Sequence, residues 1–104
     1  MDDLLGIIQR QVVSEAIRVT QHARQEMAAE QITLDEVIAA IADGQILEDY
    51  PEHQRGACCL LYGCTHQGRP LHIVCTTTQP LLVIITVYVP LPPKWVSATR
   101  RRNI

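Results

Sequence analysis

The chain has 104 residues, enough for one domain with a single hydrophobic core and too few for two. All eleven acidic residues lie in residues 1–52 against three arginines, so the first half has a formal charge of −8, whereas six Lys and Arg residues and no acid give the second half +6. The division indicates a surface for a polyanion or an acidic partner, and the absence of a basic, apolar leader or of an apolar stretch of about 18 to 20 residues favours a cytoplasmic protein with no membrane partner.

The acidic half predicts helices. Apolar residues near helical spacing predict an N-terminal helix over residues 2–17. Thr20 is a suitable N-cap for a second helix from residue 21 to about 30. Thr33 and Glu36 form a capping box for a third helix, and Gly44 suits the left-handed position that follows a helix end.

The second half predicts strands. Short apolar, β-prone segments separated by turn residues predict four of them, over residues 46–50, 58–64, 71–77 and 82–89. A cluster of prolines over residues 90–93 then ends the sheet. We therefore expect one α+β domain over residues 1–104, with the helices on one face of a four-stranded antiparallel sheet and a basic tail over residues 97–104.

Alternation of side chains along the last two strands sorts them between the two faces of the sheet. The face under the helices is predicted to carry Leu71, Ile73, Cys75, Val83, Ile85 and Val87. The opposite face is predicted to carry His72, Val74, Thr76, Ile84, Thr86 and Tyr88. Tyr62 joins that polar face if the second strand keeps Cys59 and Leu61 inward.

The four cysteines have neither the spacing of zinc ligands nor that of a secreted disulfide framework. Cys58 and Cys59 are adjacent and point to opposite faces of a strand, which disfavours a shared metal. We expect reduced thiols, mostly in the core, and no metal site.

Three motifs occur in order along the chain: HARQEMAAEQI over residues 22–32, CLLYGCTHQGRPLHIV over 59–74 and VIITVYVP over 83–90. Together they resemble the small bacterial domain-of-unknown-function family 4258, over about residues 18–96. That family is similar to the toxins of type II toxin–antitoxin systems, which implies a RelE or MqsR-like fold and RNA cleavage without metal or cofactor. It also implies a small zinc-finger or DNA-binding antitoxin as partner.

Metal-independent RNA cleavage needs a base for the 2′-hydroxyl, cations for the phosphate and an acid for the leaving oxygen. His22, which matches the family histidine, is predicted to be the base or acid, and His72 or Tyr88 the other proton-transfer group. Arg69 is the predicted phosphate clamp. The remaining residues predicted to bind substrate are Arg24 and Thr86.

Two departures from the family motif favour an alternative. Glu26 and Glu30 stand where the family has arginines, so two phosphate-binding cations are replaced by anions. Either Arg24, Arg69 and the C-terminal arginines have taken over that role, or the activity has been lost or changed. The alternative is a non-catalytic protein-interaction domain, or a homo-oligomeric module, in which the predicted site residues are only structural.

Overall fold

The structure is a computed structural model that describes residues 4–52, 56–77, 80–91, 95–97 and 99–101. The helices in these ranges are α1 (Leu4–Val13), α2 (Gln21–Ala29) and α3 (Leu34–Ala42). The strands are β1 (Ile17–Val19), β2 (Gln45–Tyr50), β3 (Cys58–Cys64), β4 (Pro70–Thr76), β5 (Leu82–Tyr88), β6 (Trp95–Ser97) and β7 (Arg100–Arg101). They form a five-stranded sheet in the order β1-β5-β4-β3-β2 and a separate β6-β7 ribbon. The fold is α+β, as predicted.

The sheet has one strand more than predicted, and it is mixed. The four predicted strands form and pair in antiparallel fashion, whereas β1 pairs with β5 in parallel. The predicted helix over residues 2–17 was too long, because α1 ends at Val13 and Glu15 adopts a left-handed φ of 62°. That turn reverses the chain into β1, a strand of three residues that is too short to produce a periodic signal.

The caps of the next two helices agree with the prediction. The Thr20 side chain accepts a hydrogen bond from the Ala23 N–H, and Thr33 and Glu36 form a complete capping box. Gly44 differs from the prediction, since it is not among the residues with positive φ. A Cβ at Gly44 would instead lie 3.0 Å from the Tyr62 carbonyl oxygen, so a close backbone approach explains this glycine.

The core lies between the helices and one face of the sheet. α1 contributes Ile8, α2 contributes Met27 and α3 contributes Ile41, all buried. α2 packs on β5, and α3 packs on β3 and β4. None of the helices in the described ranges is long and apolar enough to cross a membrane.

A β-bulge in β5 changes the predicted assignment of faces. Val74 is opposite Thr86, but Cys75 is opposite Ile84, so Ile85 is an extra residue in the ladder. As a result Leu82 and Ile84 belong to the core, and the prediction of Val83 and Ile85 as the inward residues was wrong. After the bulge the predicted phase holds, with Val87 in the core.

The face of the sheet away from the helices is also covered over its middle strands. Cys58 and Leu60 of β3 are each 1% exposed, and His72 of β4 is 0% exposed. Cys59 and Leu61 belong to the core, as the placement of Tyr62 on the polar face required. Parts of two predictions concern residues that lie outside the described ranges. These are Arg102, in the predicted basic tail, and Pro92 to Lys94, which include two of the prolines predicted to end the sheet.

Candidate functional site

Three ring side chains form a row across the sheet. Tyr62 is opposite His72, and His72 is opposite Tyr88, so β3, β4 and β5 each contribute one ring. The ring centroids of His72 and Tyr88 are 5.2 Å apart, and those of Tyr62 and His72 are 6.2 Å apart, both in edge-on arrangement. The Nδ1 atom of His72 and the hydroxyl of Tyr88 are within hydrogen-bond distance, at 3.1 Å.

The burial of His72 restricts what this imidazole can do. Because the side chain is 0% exposed, it cannot directly contact a phosphate group of a ligand in solution. Tyr88 is half-buried, so its hydroxyl is the more accessible end of the pair. His72 can therefore act on a ligand through the Tyr88 hydroxyl, by orienting it or by exchanging a proton with it.

His22 lies at the start of α2 and is held by a carboxylate. Its Nε2 atom is 3.4 Å from Oε1 of Glu26, one helical turn later, and the His22 side chain is 64% exposed. The same Oε1 atom accepts a hydrogen bond of 3.0 Å from the Val87 backbone N–H. Glu26 thus joins an exposed imidazole to β5, one residue before Tyr88. An accessible base oriented by an anchored carboxylate is a common arrangement for proton transfer.

Arg69 is engaged at the opposite end of α2. Its guanidinium donates a hydrogen bond of 2.7 Å to the Glu30 carbonyl oxygen and lies 3.6 Å from the Glu30 carboxylate. A cation at the C-terminus of a helix interacts favourably with the helix dipole. Arg69 therefore fastens the turn before β4 to the end of α2, while its side chain remains 33% exposed.

The last two predicted residues differ in their position relative to these groups. Thr86 is half-buried and shares the polar face of the sheet with Tyr88, two residues along β5. Arg24 is exposed and follows His22 by two positions, a spacing at which helical side chains do not face each other. The structure thus brings His72, Tyr88 and Thr86 to one face and His22 to the adjoining edge of β5, and it keeps Arg24 and Arg69 away from that group.

The cysteines are free, and three of the four are buried. Cys59 is directly opposite Cys75 in the core. The pKa of Cys75 is raised well above its ordinary value, because its thiol hydrogen-bonds with Cys59 and because it is buried. Burial likewise raises the pKa of Cys58, so these thiols are poor nucleophiles. No cluster of three or more His, Cys, Asp or Glu residues suited to a metal occurs in the described ranges.

The role of Glu26 was missed from the sequence. Its position one helical turn after His22 predicted an effect on the imidazole, and the replacement of a family arginine suggested the loss of a cation, but neither indicated a contact with β5. The partner that explains Glu26 is the N–H of a residue 61 positions away. No local sequence pattern indicates that contact. It forms because β1 ends before Val87 and leaves that part of the edge of β5 free for α2.

Comparison with known proteins identifies the family of the chain. No curated protein and no solved structure matches the chain. The model of the family described as Domain of unknown function (DUF4258) matches residues 19–89. The matched range extends from the end of β1 to the residue after β5, and so contains α2, α3 and the antiparallel strands with all six predicted site residues. The chain belongs to this family.

Proposed function

We propose that this domain is a toxin-like ribonuclease that binds and cleaves single-stranded RNA at the exposed edge between α2 and β5, with His22 as a proton-transfer group. The observation that carries the proposal is the chain of contacts from His22 through Glu26 to the Val87 N–H. It places an accessible imidazole at the edge of β5, beside the residue that precedes the half-buried Tyr88. A RelE or MqsR-like fold is part of the proposal, and the packing of helices on a sheet with four antiparallel strands is compatible with it.

The chemistry follows from the two nitrogens of His22. In the neutral tautomer whose proton is on Nε2, that N–H faces the Glu26 carboxylate 3.4 Å away, and Nδ1 is free to accept a proton. Nδ1 takes the proton of the RNA 2′-hydroxyl, and the 2′-oxygen attacks the adjacent phosphorus. The bond to the 5′-oxygen breaks, and the Tyr88 hydroxyl, oriented by His72, protonates that oxygen. The products are a 2′,3′-cyclic phosphate and a 5′-hydroxyl end.

Arg69 has a different role in this scheme from the one its sequence suggested. Positions 22 and 30 are about 12 Å apart along the axis of α2, from the helical rise per residue. Arg69, fixed at Glu30, therefore does not reach the phosphorus on which His22 acts. It binds a neighbouring phosphate and positions the strand, while Arg24 adds a further contact outside the reacting centre.

The test is cleavage of a fluorescent single-stranded RNA by the purified protein in EDTA, with the product ends identified by mass spectrometry. We expect cyclic phosphate ends, and a rate that falls by about 10²-fold or more in His22→Ala, the scale of general acid–base catalysis. His66→Ala is the matched control, since His66 is an exposed histidine in the turn between β3 and β4. Induction of the wild type should arrest bacterial growth, and His22→Ala should relieve the arrest.

A second candidate is a non-catalytic interaction domain. Two observations favour it: His72 is fully buried, and the Arg69 guanidinium is hydrogen-bonded to the Glu30 carbonyl oxygen. Both predicted site residues are therefore occupied by contacts within the protein. A harmless wild type that neither binds nor cleaves RNA would support this candidate and reject the ribonuclease. If the wild type binds RNA without cleaving it, and His22→Ala binds RNA with the same affinity, RNA remains the ligand and the catalytic role of His22 is rejected.

A further inference from the structure

The outer edge of β1 is unpaired in the described part of the chain. The Ala16 carbonyl and the Thr20 N–H bond to β5, at 2.7 Å and 3.0 Å. Because backbone groups alternate in direction along a parallel strand, the N–H and C=O groups of Ile17 and Val19 point away from β5. No strand or loop within the described ranges pairs with them. Four hydrogen-bonding groups are therefore presented at the sheet edge.

A groove runs beside this edge. It has a volume of about 410 Å³ and lies between β1 and the helices α2 and α3. Its apolar lining includes Ile38, which is partly buried against the core, and Leu34, which is 40% exposed. An apolar side chain from a partner would cover this surface.

The charged groups at the groove are mainly cationic. Arg18 of β1 and Arg24 of α2 border it, and both are exposed. Within the described ranges neither guanidinium has a hydrogen bond or ion pair of its side chain. Glu15 is the one acidic residue in the lining. The first half of the chain has a formal charge of −8, so two arginines at an open strand edge, with no side-chain partner in the described ranges, are a specific local feature.

We propose that an extended acidic segment of a partner protein adds to the sheet along the outer edge of β1. Its backbone pairs with Ile17 and Val19, and side chains alternate between the two faces of an added strand. Those on the helix side are apolar and enter the groove over Leu34 and Ile38. The carboxylates on the other face meet Arg18, while Arg24 at the border of the groove adds to the positive potential that favours an acidic segment. This inference does not depend on RNA cleavage, since it concerns a different edge of the sheet.

The first experiment measures binding of a fluorescein-labelled eight-residue peptide in which Glu and Val alternate, and of a matched peptide in which Lys replaces Glu. In addition, the protein is used to select binders from a displayed library of random eight-residue peptides, and their sequences are compared with that of the Glu-Val peptide. We expect acidic residues at alternating positions in the selected peptides. The affinity for them should fall on the order of tenfold or more in Arg18→Glu or Arg24→Glu. Arg10→Glu on α1 is the control with the same change in charge, and it should have little effect.

The second experiment locates the contact by amide hydrogen exchange of the full chain with and without the selected peptide. Exchange at Ile17 and Val19 should slow at least about tenfold on binding, whereas β2, at the opposite edge of the sheet, should be unaffected. Selected peptides without acidic bias, equal losses in Arg10→Glu, or protection elsewhere would overturn the proposal. Concentration-dependent protection of the two amides in the absence of peptide would also overturn it, by identifying a second copy of the chain as the occupant.

Discussion

Glu26 shows how a residue can have a role that its chemical type does not suggest. As a replacement for a family arginine it indicates a missing cation, but in the structure its carboxylate accepts a hydrogen bond from the Val87 N–H and lies 3.4 Å from Nε2 of His22. The α2 N-cap makes a similar contact, since the Thr20 hydroxyl donates to the Ile85 carbonyl at 3.1 Å. Together these bonds fasten α2 to β5 beyond the end of β1.

The contact made by Glu26 is expected to contribute to stability. Glu26→Ala leaves the N–H of the buried Val87 without its carboxylate partner, and the free energy of unfolding should fall by about 1–3 kcal/mol. Glu26→Gln retains an acceptor oxygen and should cost less. Urea unfolding measures both, and amide exchange reports on Val87 directly.

The control for this prediction is Gln25→Ala, which truncates an exposed side chain on the same helix. It should change the free energy of unfolding by no more than about 0.5 kcal/mol. If Glu26→Ala were as stable as Gln25→Ala, with unchanged exchange at Val87, the hydrogen bond would have no structural importance. Glu26→Arg, which introduces the residue expected from the family motif, should likewise destabilise the chain, because arginine cannot accept a hydrogen bond.

At the scale of elements, the packing of α3 on the sheet depends on Gly63. A Cβ at this position would lie 1.9 Å from the Ala40 carbonyl oxygen, closer than any non-bonded contact. The absence of a side chain on β3 therefore allows α3 to approach the sheet backbone. The helix then places Val37 and Ile41 in the core.

Gly63→Ala should separate α3 from β3. We expect a loss of about 1–3 kcal/mol in the free energy of unfolding, as for overpacked cores, together with altered amide chemical shifts along α3. Gly68→Ala provides the comparison, because Gly68 has a φ of 84° and no neighbour within 4 Å of an added Cβ. It should cost stability through backbone strain while the shifts of α3 stay the same. Unaltered α3 shifts in Gly63→Ala would contradict the close-packing argument.

The elements differ in how far they could be predicted. The starts of α2 and α3 follow from hydrogen bonds between Thr20 and Ala23 and between Thr33 and Glu36. The partners of each bond are only three positions apart, so the sequence shows them together. β1 could not be predicted in this way. Its three residues are stabilised by pairing with β5, more than 60 positions away, and short segments have no preference strong enough to reveal such pairing.

At the scale of the whole molecule, the domain extends beyond the range that defines its family. The family match begins at residue 19, whereas the core includes Ile8 at 0% exposure and Val12 at 7% exposure, both from α1. α1 packs against α3 and β5, and β1 covers one edge of β5. The N-terminal residues are therefore part of the same cooperative unit.

A chain that begins at residue 19 should be much less stable than the full chain. Burial of an aliphatic side chain contributes about 1.5–3 kcal/mol, so the loss of Ile8 and Val12 alone removes about 3 kcal/mol or more from a total of about 5–15 kcal/mol. The uncovered edge of β5 should also promote aggregation. Urea unfolding and light scattering measure the two effects. Deletion of only residues 2 and 3 is the control, and equal unfolding midpoints for the full chain and the shortened chain would refute the prediction.

The α+β class, α2 and α3 with their caps, the segments that form β2 to β5, and the shared face of His72 and Tyr88 could all be predicted from the sequence alone. These features depend on hydrogen bonds and side-chain alternation within a few residues, and such local relations produce patterns that can be recognised in the sequence. Only the three-dimensional structure reveals the parallel strand β1, the bulge at Ile85, the burial of His72 and the anchoring of Glu26 on β5. Each of these depends on groups brought together from distant parts of the chain, and their contacts leave no local pattern in the sequence.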